Sequence, residues 1–218
     1  MTVKERGILV SGEMTRAILN GPKTQMRLPI NKLLGYRSIT EFQKSDTPGY
    51  DFTFRRPDMG WCDYRLDDLL KLCPYGKPGD RLWVRETWAC LDSKAIPGAR
   101  LAFRADTDGE RVRVDAPWKS SIHMPRWASR ILLEITEVRV ERLQEISEED
   151  AESEGIERLK SGRGYYDPTL PKAAVRLGQY YSSAKWAFVA LWDSINYKKH
   201  PWESNPWVWV ISFKRVEG

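Results

Sequence analysis

Gly7-Ile8-Leu9-Val10-Ser11-Gly12-Glu13-Met14-Thr15-Arg16-Ala17-Ile18-Leu19-Asn20-Gly21-Pro22-Lys23-Thr24-Gln25-Met26-Arg27 passes from an apolar strand through a short helix into a glycine turn bearing two cations. Gly7–Val10 is short and apolar enough for a buried strand, and Ser11-Gly12 ends it. Met14, Ala17 and Ile18 then recur at helical spacing between Glu13 and Asn20, with Gly21 as the C-terminal stop. Mixed α/β structure is therefore expected from the first thirty residues.

Outward from this stretch, strands dominate. Lys77-Pro78-Gly79-Asp80 is a turn that launches a strand over Arg81–Trp88, with Leu82 and Val84 alternating against Arg81, Trp83 and Arg85. Leu101–Arg104 and Val112–Val114 read as a hairpin about the polar turn 106–109. A long strand is expected over Trp127–Leu143 and a last one over Trp207–Val216, where Trp207 and Trp209 share a face. Ser147-Glu148-Glu149-Asp150 has the form of a capping box for a helix running to Gly155, and a second helix is expected over Tyr180–Ile195. Residues 28–76, with one helical turn about Leu66–Leu72, and residues 157–180 lack a sustained period and read as insertions in a single domain spanning 1–218. Short strands outnumber helices, which suggests a closed β-barrel with helices packed outside it.

The bulk composition restricts the function classes. The chain has 218 residues, 41% of them hydrophobic and 30% charged, as an ordinary globular protein does. Its ten tryptophans suit a core or a surface that stacks planar ligands, and the formal charge of +5 fits a polyanionic partner. Cys62, Cys73 and Cys90 form no CxxC pair, so neither a metal site, a disulfide framework nor any cofactor is expected. No apolar run is long enough for a membrane span and no signal-peptide pattern opens the chain, so a soluble cytoplasmic protein is expected. Residues 141–157 hold eight acids and one base, whereas residues 158–185 hold six bases and one acid. The basic run is interleaved with Tyr165, Tyr166, Tyr180 and Tyr181, a composition suited to phosphate contact and base stacking or to a solvated loop.

Three segments taken together resemble the ASCH family, small barrels related to the PUA fold that handle RNA and modified nucleosides. They are Gly21–Arg27, Gly79–Trp88 and Asn205–Phe213. The nearest likeness is to a longer phage and prophage group of that family, carried by Lys77-Pro78-Gly79-Asp80-Arg81-Leu82-Trp83-Val84-Arg85-Glu86 and His123-Met124-Pro125-Arg126-Trp127-Ala128-Ser129-Arg130. The resemblance implies a PUA-like barrel. Its best-understood bacterial members remove the acetyl group of N4-acetylcytidine with a lysine, a threonine three residues later and a glutamate on the helix after the long strand. Here Lys23 matches the lysine and Glu154 the glutamate, but Met26 stands at the threonine and has no nucleophilic oxygen. Thr24 is the nearest hydroxyl, and adjacent side chains on an extended chain point apart.

Two classes of function follow. In the first, the protein binds nucleic acid, RNA foremost, or a modified nucleoside in a cleft built from Gly21, Lys23, Arg27 and Glu154. Trp83 or Trp88 supplies a planar wall, Lys23, Arg27 and Arg85 hold a phosphate or a base edge, Glu86 accepts from an exocyclic amine, and His123, next to Arg126, serves as an acid or base. In the second it is an enzyme, an N4-acylcytidine amidohydrolase or a ribonuclease, with Lys23, Glu154 and Thr24 as catalytic groups. A third reading is a phage accessory or morphogenetic protein acting through a protein partner.

Overall fold

The computed structural model describes residues 3–36, 38–92, 94–107, 114–167 and 180–216. Its centre is a five-stranded sheet in the order β1-β6-β9-β12-β2, formed by Glu5–Leu9 (β1), Gln25–Pro29 (β2), Arg81–Arg85 (β6), Leu132–Arg142 (β9) and Trp207–Val216 (β12). β1 runs parallel to β6, and the other pairings are antiparallel. The sheet is open, with β1 and β2 at its edges, so the described strands form mixed α/β structure and no closed barrel. β12 lies between β9 and β2, and a register shift between Ser212 and Phe213 moves β9 by one residue there. Such a bulge resets which residues of a strand face inward.

Alternation assigns the two faces of this sheet. Ile8, Leu82, Val84, Leu133, Ile135, Val138, Met26, Trp207, Trp209, Ile211 and Phe213 turn to one side and form the principal core. Val208 and Val210 turn to the other, where α3 (Glu148–Ser153) and α4 (Ala184–Asn196) cover them through Ala151, Ala187, Phe188 and Leu191. Both expected helices are found, each fixed by a serine whose oxygen accepts an otherwise orphan backbone N–H: Ser147 from Asp150, and Ser183 from Trp186. The second starts at Ala184, not Tyr180, because Ser183 takes the cap. α1 (Gly12–Asn20) starts on Ser11 in the same way and stops at Gly21, whose φ of 96° is a left-handed conformation that glycine adopts without strain.

Residues 28–76 are more regular than expected. Glu41–Lys44 (β3), Phe52–Arg55 (β4) and Trp61–Tyr64 (β5) form an antiparallel three-stranded sheet, followed by a short helix α2 (Leu66–Leu70). Leu33, Phe52, Phe54, Leu69 and Cys73 join the principal core, with Phe52 edge-on to Trp207 at 5.2 Å between ring centroids. Strands of four residues are too short to show a period by themselves, and Phe52 packs on a tryptophan far along the chain, whereas Phe54 packs between Tyr36 and Tyr64.

Two further expectations change. The strand over Arg81–Trp88 breaks after Arg85, and Trp88–Cys90 (β7) pairs instead with Leu101–Phe103 (β8). Trp127 lies in a 3-10 turn before the long strand, which begins at Leu132. The second arm of the expected hairpin, residues 112–113, and residues 168–179 of the basic run lie outside the described residues. Glu157–Arg158 (β10) and Tyr165–Tyr166 (β11) form a small ladder. Among the described residues no helix is long and apolar enough to cross a membrane.

Candidate functional site

Lys23, Gln25 and Arg27 alternate on one side of β2 and of the bridge that leads into it, while Met26 points into the principal core. The Lys23 backbone forms an isolated antiparallel bridge with Glu154 at the end of α3. Lys23 Nζ donates to Glu154 Oε2 at 2.8 Å and to the Glu154 carbonyl at 2.8 Å. Both side chains are buried, with 1% and 4% of their surface exposed. Arg27 donates from Nη1 to Glu154 Oε1 at 3.3 Å and from Nη2 to Asp150 Oδ2 at 2.6 Å and Glu141 Oε2 at 3.1 Å. Gln25 accepts a short hydrogen bond from Arg27 and donates to Asp150. Arg139 closes the cluster through Glu141 at 2.8 Å and Asp150 at 3.2 Å.

The expected pair of Lys23 and Glu154 is thus brought together from 131 residues apart. The expected third member is not. Thr24 is exposed, and its backbone is used to tie β2 to Ser153 and Phe213. Met26 is 6% exposed and faces the core, so a hydroxyl at either position would lie away from Lys23 Nζ. Gly21 caps α1 and makes the turn into this segment. Asp150 keeps its charge within the cluster: burial raises its pKa, but hydrogen bonds and charge from Arg27, with Gln25 and Arg139, outweigh burial and hold it below its ordinary value.

Gln25, Arg139, Glu141 and Asp150 were not among the expected site residues, although the sequence carries their signal. Gln25 lies between Lys23 and Arg27 in a two-residue alternation. Asp150 and Glu154 are four apart on a helix, and Arg139 and Glu141 are two apart on a strand.

A second group occupies the same side of the sheet at its β1–β6 end. Arg81, Trp83 and Arg85 face away from the principal core, opposite Glu5, Gly7 and Leu9 in register. Gly7 makes this packing possible. A Cβ there would lie 2.7 Å from Trp83 Cζ2 and 2.9 Å from Arg85 Cδ, so the indole and the arginine stem rest on the β1 backbone. The Arg85 guanidinium sits 5.3 Å from the indole ring centre and donates to the Ile122 carbonyl. Arg126 pairs with Glu5 at 2.8 Å, and His123 and Ile122 are exposed beside it. Leu9 and Ile122, exposed by 52% and 58%, complete a surface of aromatic, apolar and cationic groups.

Glu86 does not belong to that surface, contrary to expectation. It is 1% exposed and held by Arg130 at 2.9 Å, which also binds Asp106. Burial raises its pKa, against the opposing pull of Arg130. Trp88 is also core, packed edge-on to Trp127. In the basic run, Tyr165 and Tyr181 pack under α4 and bridge each other, while Arg158 lies 5.9 Å from the Tyr165 ring.

Between the two groups, the register row Arg81–Glu134–Lys214 crosses the sheet, and Lys214 pairs with Glu134 at 2.8 Å. Three strand spacings, about 14 Å, separate β6 from β2 along this face. One end of the face is therefore closed by α3 over a buried ion cluster, and the other is open and cationic. No protein-family model, no curated protein and no solved structure matches this chain.

Proposed function

We propose that the protein is a single-stranded nucleic-acid-binding module, RNA its first target, related to the PUA-like ASCH barrels by its Gly21–Arg27, Gly79–Trp88 and Asn205–Phe213 segments. The observation that carries this reading is the open surface in which Trp83 and Arg85 rest on Gly7, ringed by Arg81 and Arg126. A tryptophan face stacks on any base, and the arginines supply phosphate contacts whose counterion release makes binding salt-dependent. Within the family resemblance, the Lys23–Arg27–Glu154 cluster is the framework that fixes β2 against α3 and shapes the closed end of the same face.

The test is fluorescence anisotropy of labelled single-stranded RNA and DNA across salt concentrations. Affinity is expected to fall with salt, and Trp83→Ala is expected to weaken binding by about 1–3 kcal/mol, the usual worth of one stacked base. Binding that ignores salt and survives both Trp83→Ala and Arg85→Gln would overturn the proposal, and would leave a protein partner as the better reading.

The amidohydrolase reading has one observation in its favour, the contact of Lys23 Nζ with the Glu154 carboxylate at 2.8 Å. It needs an attacking oxygen, and the groups around Lys23 supply none from Thr24 or Met26. Incubation with N4-acetylcytidine decides it: release of cytidine that Lys23→Ala abolishes would establish a water-based reaction, and no turnover removes the reading.

A further inference from the structure

β1 is an edge of the five-stranded sheet, and its outer side is bare. In its parallel pairing with β6, the Arg81 N–H donates to the Lys4 carbonyl at 2.8 Å, and the Val10 N–H to the Arg85 carbonyl at 3.3 Å. Residues 4, 6, 8 and 10 therefore spend their backbone groups on β6, and alternation turns the N–H and C=O of Glu5, Gly7 and Leu9 outward. Among the described residues none of these outward groups makes a hydrogen bond. All three residues are exposed, Leu9 by 52%. The opposite edge differs, since β2 is buried or half-buried along its whole length.

An unpaired strand is a template for another strand unless proline, a bulge or free charge blunts it. β1 contains no proline, and its register with β6 is unbroken. Its charges are committed within the chain. The buried Asp80 accepts from Arg6 Nη1 and from the Lys4 N–H, each at 3.1 Å, and Glu5 pairs with Arg126 at 2.8 Å. Gly7 sits at the middle of the outward residues, and a glycine within a strand lets another backbone approach closely.

We infer that β1 pairs with β1 of a second copy of this chain, antiparallel and about a twofold axis at Gly7. Centring on Gly7 makes the edge self-complementary. Gly7 meets Gly7, Glu5 meets Leu9 at both ends, and every outward group of both strands finds a partner. Charge agrees with this register. Arg85 has no carboxylate partner among the described residues: its guanidinium lies against the Trp83 ring and the Ile122 carbonyl. Its stem crosses Gly7, and the pairing brings Glu5 of the second copy beside Gly7 and Leu9. Residues opposite each other across an antiparallel pair share a face. The two Trp83 surfaces therefore lie on one face of a continuous sheet, each indole over its own Gly7. The pairing stands on the edge alone, whereas the longer nucleic-acid platform it makes, with a tryptophan from each copy, rests on the stacking reading above.

Sedimentation equilibrium of the full chain, free of nucleic acid, is the test, and a concentration-dependent dimer is expected. Leu9→Pro removes an N–H that points outward and costs no bond to β6, whereas Leu9→Ala keeps that N–H. The proline is expected to weaken the dimer at least about tenfold relative to the alanine, because the twofold doubles the loss. Leu9→Glu sets like charges opposite each other at both ends of the seam, and Leu9→Lys sets opposite ones. The glutamate variant is expected to dimerise about tenfold more weakly than the lysine variant. Urea unfolding screens each protein, and the glutamate–lysine contrast decides alone if the proline disturbs the fold. A monomer at every concentration overturns the proposal and leaves the edge to a strand of another protein. A dimer that ignores the proline, or responds alike to glutamate and lysine, overturns it too, since another surface would then be joined. Trp83→Ala removes no hydrogen bond of the seam. Loss of RNA binding with the dimer intact is thus failure of the surface reading, and a monomer that still binds RNA is failure of this one.

Discussion

Removing the Glu154 carboxylate tests the ion cluster directly. Glu154→Ala leaves the Lys23 ammonium, 1% exposed, with only the residue-154 carbonyl as acceptor among the described residues, and costs Arg27 its 3.3 Å contact. Breaking one side of a buried pair costs about 3–5 kcal/mol, because the remaining charge has neither water nor partner. Lys23 keeps a carbonyl and Arg27 keeps Asp150 and Glu141, so the lower end, about 3 kcal/mol, is expected. Lys23→Met strands Glu154 less severely, since Arg27 still reaches it, and about 2–3 kcal/mol is expected. In Lys23→Met/Glu154→Ala both members of the pair are gone, and Arg27 keeps Asp150 and Glu141. The double variant should therefore be about 2–3 kcal/mol more stable than the sum of the single losses. Urea unfolding followed by tryptophan fluorescence measures all four proteins. Single variants within about 0.5 kcal/mol of the parent, or a double loss equal to the sum, would refute the claim that these charges are desolvated and paired.

Met26→Thr introduces the hydroxyl that the ASCH resemblance would call for, but it is expected to yield no N4-acetylcytidine turnover, because the position faces the core. The same substitution should cost about 2–4 kcal/mol, as lost apolar volume and a buried hydroxyl together do, and a urea titration reads it. Gly7→Ala drives a Cβ into Trp83 and Arg85, so a loss of about 1–3 kcal/mol is expected from overpacking, with weaker RNA binding in the anisotropy assay. Asp80, like Asp150, contributes a pH dependence. Its folded-state pKa lies below 3.8, so its contribution is complete above 3.8 and is lost as pH falls through the lower folded value. Asp80→Asn should therefore be less stable than the parent by about 1.5–3 kcal/mol at neutral pH, and the gap should close in strong acid. A gap that persists there would point to the shape of the side chain, not its charge.

Local signals carried most of the elements that were legible in the sequence. Gly21 and Ser147 mark helix ends through hydrogen bonds made within a few residues, and each is where its type implies, whereas Ser11, read as a strand end, proves also to cap α1. β9 and β12 are long enough to display alternation. The Lys23–Glu154 pairing was legible through the family resemblance alone, since nothing local joins residues so far apart. What escaped depends on distant partners. Phe52 looks like a stray aromatic until Trp207 lies beside it. Glu86 reads as a surface acid in an alternating strand, yet Arg130 draws it inward, and β6 ends there. The barrel expectation failed for a related reason: alternation counts strands but does not say whether β1 and β2 meet.

The position of β12 has a consequence for the order in which the molecule can be made. It is the strand that joins β2 to β9, yet it is synthesised long after both. On the ribosome, β2 emerges with no sheet to enter, its Met26 and Leu28 wet on one side and Lys23 and Arg27 unpaired on the other. Only when Trp207–Val216 has left the exit tunnel can the seam close and the charges lose their water. The nascent chain therefore carries an unzipped hydrophobic edge while the residues between Pro29 and Trp207 are made, a period in which a holdase chaperone would find its binding site.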